Sequence, residues 1–353
     1  MSEQRYIDYK PVFDRQTGTN AEICIIIGAR SIGKTFTLRL ELTRKCIQAG
    51  TTYAVLSRTK DESKAVSRGF FDKLQSEGFF PEYQFKIEKG AAYIAPANSE
   101  RPEWRVICYF VSLTAFQRDK QTTFANVRDI LFDEALIDTR DRYHRYLPYE
   151  FSLFADACST VFREQPNDGI ARHVYILGNS CDLTAPYLRE YGIDSAPSYG
   201  FHWYRGKTVL LWYVEPWDAE TRKARTLVGR MLAGSDAARV AFDNAFDTGS
   251  DADIAKKSAG ARFVFAVKYQ VQTFAVWIDY QSGITYVNEQ VPKDAAKPYA
   301  LTKKDGAVDY RMLRKSDDLL TMISNLYYAG NVRYSSPALR EAFLEVLSFI
   351  GIK

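Results

Sequence analysis

Ile23-Cys-Ile-Ile-Ile-Gly-Ala-Arg-Ser-Ile-Gly-Lys-Thr35 decides the fold of this chain of 353 residues. The stretch begins with an apolar run typical of a buried strand. It ends on the pattern G-x-x-x-x-G-K-[ST], which it matches at every fixed position, and a helical pattern follows. Strand, loop and helix in this order predict a loop whose backbone N–H groups and helix N-terminus surround a phosphate. The alternative is a chance glycine-rich turn between a strand and a helix.

Every position of this loop is predicted to contact a nucleotide. The residues are Gly28, Ala29, Arg30, Ser31, Ile32, Gly33, Lys34 and Thr35. Lys34 is expected to reach the β- and γ-phosphates, where it also assists catalysis, and the Thr35 hydroxyl is expected to ligate Mg²⁺. The pattern therefore predicts a nucleoside triphosphate with Mg²⁺ as the cofactors.

An acidic pair, Asp133-Glu134, ends a second apolar run that begins at Ile130. An acid at the carboxyl edge of a parallel sheet would lie beside the metal of a P-loop, so Asp133 is predicted to complete the Mg²⁺ site. Glu134 is predicted to polarise the attacking water. Many strands end in acidic turns, but this pair follows a complete P-loop. The Glu marks the P-loop group with an additional strand between the P-loop and Asp strands, which hydrolyses ATP more often than GTP.

Two further polar residues follow predicted elements of this domain. His173–Leu177 is the candidate for the additional strand, and Asn179 at its tip is the predicted sensor of the γ-phosphate. The alternative is that Asn179 belongs only to a turn. Arg163 follows a predicted helix over Leu147–Phe162, a position that suits an arginine finger inserted into the site of a neighbouring subunit. A solvated arginine at a helix C-terminus is equally consistent with this position.

The chain as a whole is predicted to be α/β, with a P-loop ATPase domain built on a central, mainly parallel sheet and a smaller α+β C-terminal domain. The other predicted strands of the first domain are Glu22–Ile27, Thr52–Ser57, Arg105–Leu113 and Asp129–Phe132, and its other helices lie near Lys34–Gln48 and Asp61–Gln75. In the second domain the predicted strands are Arg262–Tyr269, Thr273–Asp279 and Thr285–Glu289, and the predicted helices are one near Tyr310–Tyr328 and one that starts at Ser336-Pro337. The predicted boundaries are 1–205 for the ATPase domain, 206–258 for a helical connector and 259–353 for the C-terminal domain.

The composition is that of an ordinary globular protein, with 46% hydrophobic and 25% charged residues. Five cysteines without a C-x-x-C pair, and only three histidines, argue against a structural zinc site. No signal peptide or membrane-spanning run is found, so we expect a protein of the cytoplasm of the cell that makes it, without a membrane partner. Residues 252–353 contain 14 Lys/Arg and 10 Asp/Glu, so they account for the whole net charge of +4.

Several blocks of this sequence resemble the phi-29-type gene-product-16 family, the DNA-packaging ATPases of small tailed phages. These blocks are Ile27–Lys34, Ile130–Glu134, Thr160–Arg163, Phe263–Ala266 and Val276–Asp279. The resemblance implies an ATP-driven translocase for double-stranded DNA that packages a viral genome into a preformed capsid. It also implies a ring of five copies at the portal vertex, with the portal protein as a partner. A structural packaging RNA is a further partner that the sequence leaves open.

The resemblance also implies roles for basic residues outside the P-loop. Arg163 becomes the trans-acting finger, although Glu164 and Gln165 follow it where family members can carry a second arginine. Three more residues are implied to lie at the subunit interface or near the nucleotide: Arg58, Lys60 and Lys120. For Lys60 and Lys120, which lie in polar stretches, a solvated charged face is the alternative.

The C-terminal domain of the family resembles a ribonuclease-H-type nuclease that has lost its metal-binding acids. In this sequence Asp279 ends a strand, but no cluster of acids accompanies it at metal-ligand spacing. Basic residues of this domain are candidates for non-specific contacts with phosphates, or for a solvated charged face. They are Lys256, Lys257, Arg262, Lys268, Lys303, Lys304, Arg311, Arg314 and Lys315. In the first domain, the segment Lys86–Arg101 is a candidate for gripping DNA.

Other functions remain open at this point. A cellular P-loop translocase or helicase would share every catalytic residue and would differ only in the C-terminal blocks. A nucleotide-gated ring scaffold without motor activity would not need Glu134. An active nuclease would need the missing carboxylates.

Overall fold

A computed structural model gives the fold of the chain. It describes residues 6–19, 21–30, 32–116, 123–137, 146–147, 149–163, 169–179, 185–193, 196–216, 227–232, 234, 253–270, 272–295, 298–306, 310–313 and 318–351. The chain divides into two compact units, Met1–Asp247 and Thr248–Lys353. None of the helices in these ranges is long and apolar enough to cross a membrane.

The first unit is built on one sheet of nine strands. The strands are β1 Ile23–Ile27, β2 Thr52–Ser57, β3 Tyr83–Glu88, β4 Ala91–Pro96, β5 Arg105–Ser112, β6 Val127–Leu136, β7 His173–Gly178, β8 Gly200–Tyr204 and β9 Val209–Tyr213. Their order across the sheet is β3-β4-β5-β2-β6-β7-β1-β9-β8. The six central strands, β5-β2-β6-β7-β1-β9 in spatial order, are parallel to one another. Strands β3, β4 and β8 pair antiparallel at the edges. The predicted mainly parallel α/β sheet is thus confirmed.

Helices cover the sheet, so its central strands are buried on both faces. In this unit the helices are α1 Lys10–Thr17, α2 Lys34–Ala49, α3 Lys60–Ser67, α4 Asp72–Ser76, α5 Glu150–Phe162, α6 Pro186–Glu190 and α7 Leu227–Leu232. Two hydrophobic clusters form, and alternate residues of β1 belong to different clusters: Cys24 and Ile26 to one, Ile25 and Ile27 to the other. Burial on both faces explains why these strands appear in the sequence as continuous apolar runs.

The order of the central strands brings the predicted site residues to one edge. Strand β7 lies between β6 and β1 and is parallel to both. His173–Leu177 is therefore the additional strand between the P-loop strand and the Asp strand, as predicted. Parallel strands end at the same edge of a sheet, and the P-loop after β1, the Asp133-Glu134 pair in β6 and Asn179 after β7 all lie there.

Two details differ from the predictions. The predicted helix Asp61–Gln75 is interrupted at Gly69, whose φ of +63° is outside the range of a right-handed helix, so α3 and α4 are separate. The proposed connector starts too early at residue 206, because β9 pairs with β1 inside the sheet. The segment Lys86–Arg101 contains the turn and second strand of the hairpin β3–β4, and its role in gripping DNA stays a prediction.

The second unit is a smaller α+β fold. Its sheet contains β10 Arg262–Tyr269, β11 Gln272–Asp279, β12 Ile284–Asn288, β13 Tyr299–Ala300, β14 Arg311–Met312 and β15 Val332–Tyr334, in the order β14-β13-β10-β11-β12-β15. The predicted meander β10–β12 is antiparallel, whereas the short outer strands are parallel additions. The helices are α8 Asp318–Tyr328 and α9 Pro337–Phe349, and Ser336 caps α9 by accepting a hydrogen bond from Leu339 N. The kinship of this unit with nucleases stays a prediction.

Candidate nucleotide site

The two fixed glycines of the P-loop are required by close packing. A Cβ on Gly28 would lie 2.7 Å from Ile32 Cδ1, and a Cβ on Gly33 would lie 2.5 Å from Tyr6 Cδ1. Gly33 also has a φ of +81° at the N-cap of α2, a conformation that favours glycine. The chain therefore turns sharply into α2 here, and the helix N-terminus faces the loop as anion binding requires.

A segment before α1 supports the loop from outside. Ile7 N donates to Ile32 O at 3.0 Å, and the buried Tyr9 hydroxyl donates to Lys34 O at 3.1 Å. The ring of Tyr6 lies 4.9 Å from that of Phe36, centroid to centroid. Burial, with the negative charge of Asp133 as a smaller cause, raises the pKa of Tyr9 well above its ordinary value, so its hydroxyl stays protonated as a donor. No sequence motif indicated this support.

Lys34 spans the inside of the loop. Its ammonium donates to Gly28 O and Ala29 O at 2.7 Å each and to Asn179 Oδ1 at 2.9 Å. The residue is only 9% exposed, so a positive charge is held where phosphates of a P-loop nucleotide bind. The structure brings Asn179 against Lys34 at the tip of β7, and the sensor role of Asn179 stays a prediction.

Thr35 and Asp133 lie together as a metal site requires. The Thr35 hydroxyl donates to Asp133 Oδ1 at 2.9 Å, although the two residues are 98 positions apart. Hydroxyl and carboxylate oxygens are the ligands that Mg²⁺ prefers, and both residues are only partly exposed. The donor set therefore fits Mg²⁺ bound together with a nucleotide.

Glu134 has an unusual backbone at the irregular end of β6. The register with β7 shifts between Phe132 and Leu136, and Glu134 adopts a left-handed conformation with a φ of +51°. Its N–H donates to Asp133 Oδ1 at 3.0 Å. Such conformations cost of order 1–3 kcal/mol and are concentrated at functional sites. The residue is exposed, in contrast to the buried Phe132 before it, so its carboxylate is accessible to water.

Arg58 holds the backbone that follows Glu134. Its NH1 donates to Glu134 O at 2.9 Å, and its NH2 donates to Ala135 O. Its Nε donates to both carboxylate oxygens of Glu150 at 3.0 Å, and Glu150 also accepts from the Tyr187 hydroxyl at 2.7 Å. Burial opposes the charge on Arg58, but Glu150 and nearby tyrosines outweigh it and raise the pKa of the guanidinium. Arg58 and Glu150 thus form a buried ion pair within the chain.

The burial of Arg58 bears on one prediction. The resemblance implied that Arg58 lies at the subunit interface or near the nucleotide, but Arg58 is 8% exposed and its donors are used within its own chain. These contacts do not favour a place at the subunit interface, and a role of Arg58 near the nucleotide stays a prediction.

Replacing Arg58 by alanine is expected to lower the free energy of unfolding of the first unit by about 3–5 kcal/mol, because the Glu150 carboxylate would stay buried without its cation. Urea denaturation of the full chain measures this as a shift of the midpoint. Arg68, exposed at the end of α3, is the control, and Arg68→Ala should change stability by about 0.5 kcal/mol or less. A loss for Arg58→Ala that is no larger than the loss for Arg68→Ala would contradict the assigned network.

The remaining predicted residues lie on surfaces or outside the described ranges. Arg163 is exposed at the C-cap of α5, and Lys60 is exposed at the first position of α3. In the second unit the exposed predicted residues are Lys256, Arg262, Lys303, Lys304 and Arg311. Lys257 and Lys268 are half-buried, with their ammonium groups 4.4 and 5.5 Å from the ring centroids of Trp277 and Tyr310. Ser31, Lys120, Arg314 and Lys315 lie outside the described residues.

One residue of the site was missed by the sequence analysis. Arg39 NH2 lies 3.6 Å from Asp133 Oδ2, and its guanidinium carbon lies 4.2 Å from the ring centroid of Phe70. The signal was present, because Arg39 follows Thr35 by four positions on α2 and so lies on the same helix face.

Comparisons with known proteins find relatives along nearly the whole chain. The family model described as Podovirus DNA encapsidation protein (Gp16) matches residues 9–348. The DNA packaging protein of Bacillus phage B103 is 26% identical over 331 residues, which cover 93% of this chain and 97% of that protein. The DNA packaging protein of Bacillus phage phi29 is 24% identical over 330 residues, which cover 93% of this chain and 94% of that protein.

Solved structures with the same fold are also found. A chain of the bacteriophage Phi-29 viral genome packaging motor assembly superposes with a TM-score of 0.66 at 21% identity, covering 98% of this chain and 99% of that one. The N-terminal domain of the DNA packaging ATPase from bacteriophage phi29 gives a TM-score of 0.50 at 21% identity, with 60% of this chain and 98% of that chain covered. These likenesses support the fold of the first unit and of the chain as a whole.

Proposed function

Because the chain belongs to the podovirus DNA encapsidation protein (Gp16) family, we propose that it is an ATP-driven motor that moves double-stranded DNA into a preformed capsid. The predicted role in phage DNA packaging is confirmed at the level of the family. The alternative of a cellular translocase or helicase is not favoured, because the match extends through the C-terminal unit to residue 348. Hydrolysis, its metal dependence and the assembly of the motor are the proposed parts.

The contact between the Thr35 hydroxyl and Asp133 carries the proposal of Mg²⁺-dependent hydrolysis. Mg²⁺, when bound with ATP, would neutralise charge on the phosphates. Lys34, released from its loop carbonyls, would bind the β- and γ-phosphates. Glu134 would orient the attacking water and accept a hydrogen bond from it, which polarises the water. Asn179 would contact the γ-phosphate from the end of β7.

Assembly would complete the site. Arg163 is exposed at the end of α5, so it is free to enter the site of a neighbouring copy and stabilise charge in the transition state. Lys60 and Lys120 are proposed to act near the same interface. The ring, of five copies by family likeness, would bind the portal protein at the portal vertex of an assembling capsid in the host cytoplasm. A structural packaging RNA remains a candidate partner.

The DNA-binding surface is proposed to contact phosphates and not base edges, since a motor must move any sequence. Exposed basic residues of the second unit, such as Lys256, Lys303 and Lys304, suit this task. Their contribution should weaken steeply with salt concentration.

The steady-state ATPase rate of the purified chain, with and without double-stranded DNA at low salt, tests the proposal. We expect the rate to rise with DNA and to rise more than linearly with protein concentration, because each complete site needs two subunits. Added salt should remove the stimulation by DNA. A rate that is indifferent to DNA and concentration would contradict a self-assembling translocase and would favour a nucleotide-gated scaffold or a motor that needs its portal.

A further inference from the structure

The two oxygens of the Asp133 carboxylate face different partners. Oδ1 accepts from the Thr35 hydroxyl at 2.9 Å and from Glu134 N at 3.0 Å. Oδ2 faces the guanidinium of Arg39 at 3.6 Å. The carboxylate that would complete a Mg²⁺ site is thus already paired with a fixed positive charge.

The ion pair between Arg39 and Asp133 is partly shielded from solvent. The Arg39 and Asp133 side chains are 21% and 16% exposed, so solvent and salt screen their interaction less than they screen a surface pair.

The guanidinium also has a second support. Its central carbon lies 4.2 Å from the ring centroid of Phe70, a distance typical of a cation–π contact. If a divalent cation drew the carboxylate away, Arg39 would retain this contact. The arrangement therefore allows Arg39 to release Asp133 when metal binds and to recover it when metal leaves.

We propose that Arg39 is a positioning residue that competes with Mg²⁺ for Asp133 and so weakens the hold of the site on Mg²⁺ and ADP after hydrolysis. The inference rests on the proposed function, since it assumes that the P-loop binds a nucleotide with its metal. Two positive charges close to one carboxylate repel each other, and this repulsion lowers metal affinity in proportion to the charge that Arg39 contributes.

Equilibrium binding of a fluorescent ADP analogue to the full chain tests the proposal, once with EDTA and once with excess Mg²⁺. The ratio of the two dissociation constants measures how much the metal strengthens ADP binding. For Arg39→Met we expect this ratio to rise about tenfold over that of the unaltered chain, with the change confined to the Mg²⁺ arm. Arg39→Lys keeps a positive charge and should stay near the original ratio.

Arg44→Met is the matched control, because Arg44 lies on the same helix and pairs with Glu41. Its ratio should not change. Metal affinity can be measured directly by Mn²⁺ titration of the ADP-bound chain, with free Mn²⁺ followed by electron paramagnetic resonance. The metal affinities of the variants should rank in the same order as the ratios of their dissociation constants. Arg39→Gln replaces Arg39→Met if the latter fails to fold.

Two failures can be told apart. If the unaltered chain binds no nucleotide in either arm, the proposed nucleotide site itself is wrong. If ADP binds normally but Arg39→Met leaves the ratio unchanged, or shifts both arms equally, Arg39 has only a structural role and the proposal is overturned.

Discussion

Replacing Glu134 by glutamine should slow ATP turnover roughly a thousandfold, because the amide can occupy the same space but cannot polarise the attacking water. ATP affinity should change little, because the Lys34, Thr35 and Asp133 contacts do not involve the Glu134 carboxylate. Phosphate release measures turnover, and binding of a fluorescent ATP analogue measures affinity. Retained binding with lost turnover would identify Glu134 as a catalytic residue.

Glu82→Gln is the matched control, since Glu82 is exposed just before β3. It should turn over ATP at the original rate. If Glu134→Gln packages DNA and hydrolyses ATP normally, another group activates the water, and the proposed role of Glu134 has to be abandoned. If packaging continues while hydrolysis stops, the scaffold interpretation would be preferred to the motor.

Replacing Arg163 by alanine is the second change with a large expected effect. An arginine finger contributes about 10³–10⁵ to turnover, so we expect a loss of at least roughly a thousandfold in the assembled motor. The cause would be missing stabilisation of transition-state charge, because Arg163 is exposed at the end of α5 and its replacement removes no buried contact. Stability of the isolated chain should therefore stay within about 0.5 kcal/mol.

A mixing experiment separates a trans-acting finger from one that acts in its own subunit. Arg163→Ala and Glu134→Gln chains are each expected to be inactive alone. In a mixed ring, a site can combine Glu134 from one chain with Arg163 from the other, so the mixture should recover part of the ATPase rate. A mixture as inactive as its two components would mean that Arg163 does not act across the interface.

The arrangement of the candidate site at the sheet edge could be predicted from sequence because it depends on local pattern. The P-loop and the Asp133-Glu134 pair are contiguous motifs attached to apolar strands, and strands buried on both faces leave a strong signal. The position of β7 could be predicted because Glu134 is typical of the P-loop group that has an additional strand between the P-loop strand and the Asp strand. Asn179 was then found by position alone, and the structure places it 2.9 Å from Lys34 Nζ.

Features that depend on distant partners could not be predicted in the same way. Arg58 lies in a polar stretch and looks exposed, but it is buried by an ion pair with Glu150, 92 positions away. Strand β3 is half-exposed and has a weaker pattern than the central strands. Strand β9 has a clear apolar run. The residues after it lack a strand pattern, which favoured a helical connector over 206–258 that wrongly included β9.

The left-handed backbone of Glu134 makes the residue that is proposed for activity unfavourable for stability. Asparagine and glycine adopt a φ near +51° more readily than glutamate does, so either one should relax the chain while it removes the carboxylate. A screen that selects variants of this protein for heat resistance alone would therefore favour chains that lack the carboxylate at this position. If Glu134 activates water as proposed, the protein keeps a residue whose backbone conformation costs stability, and turnover is obtained at the expense of thermal stability.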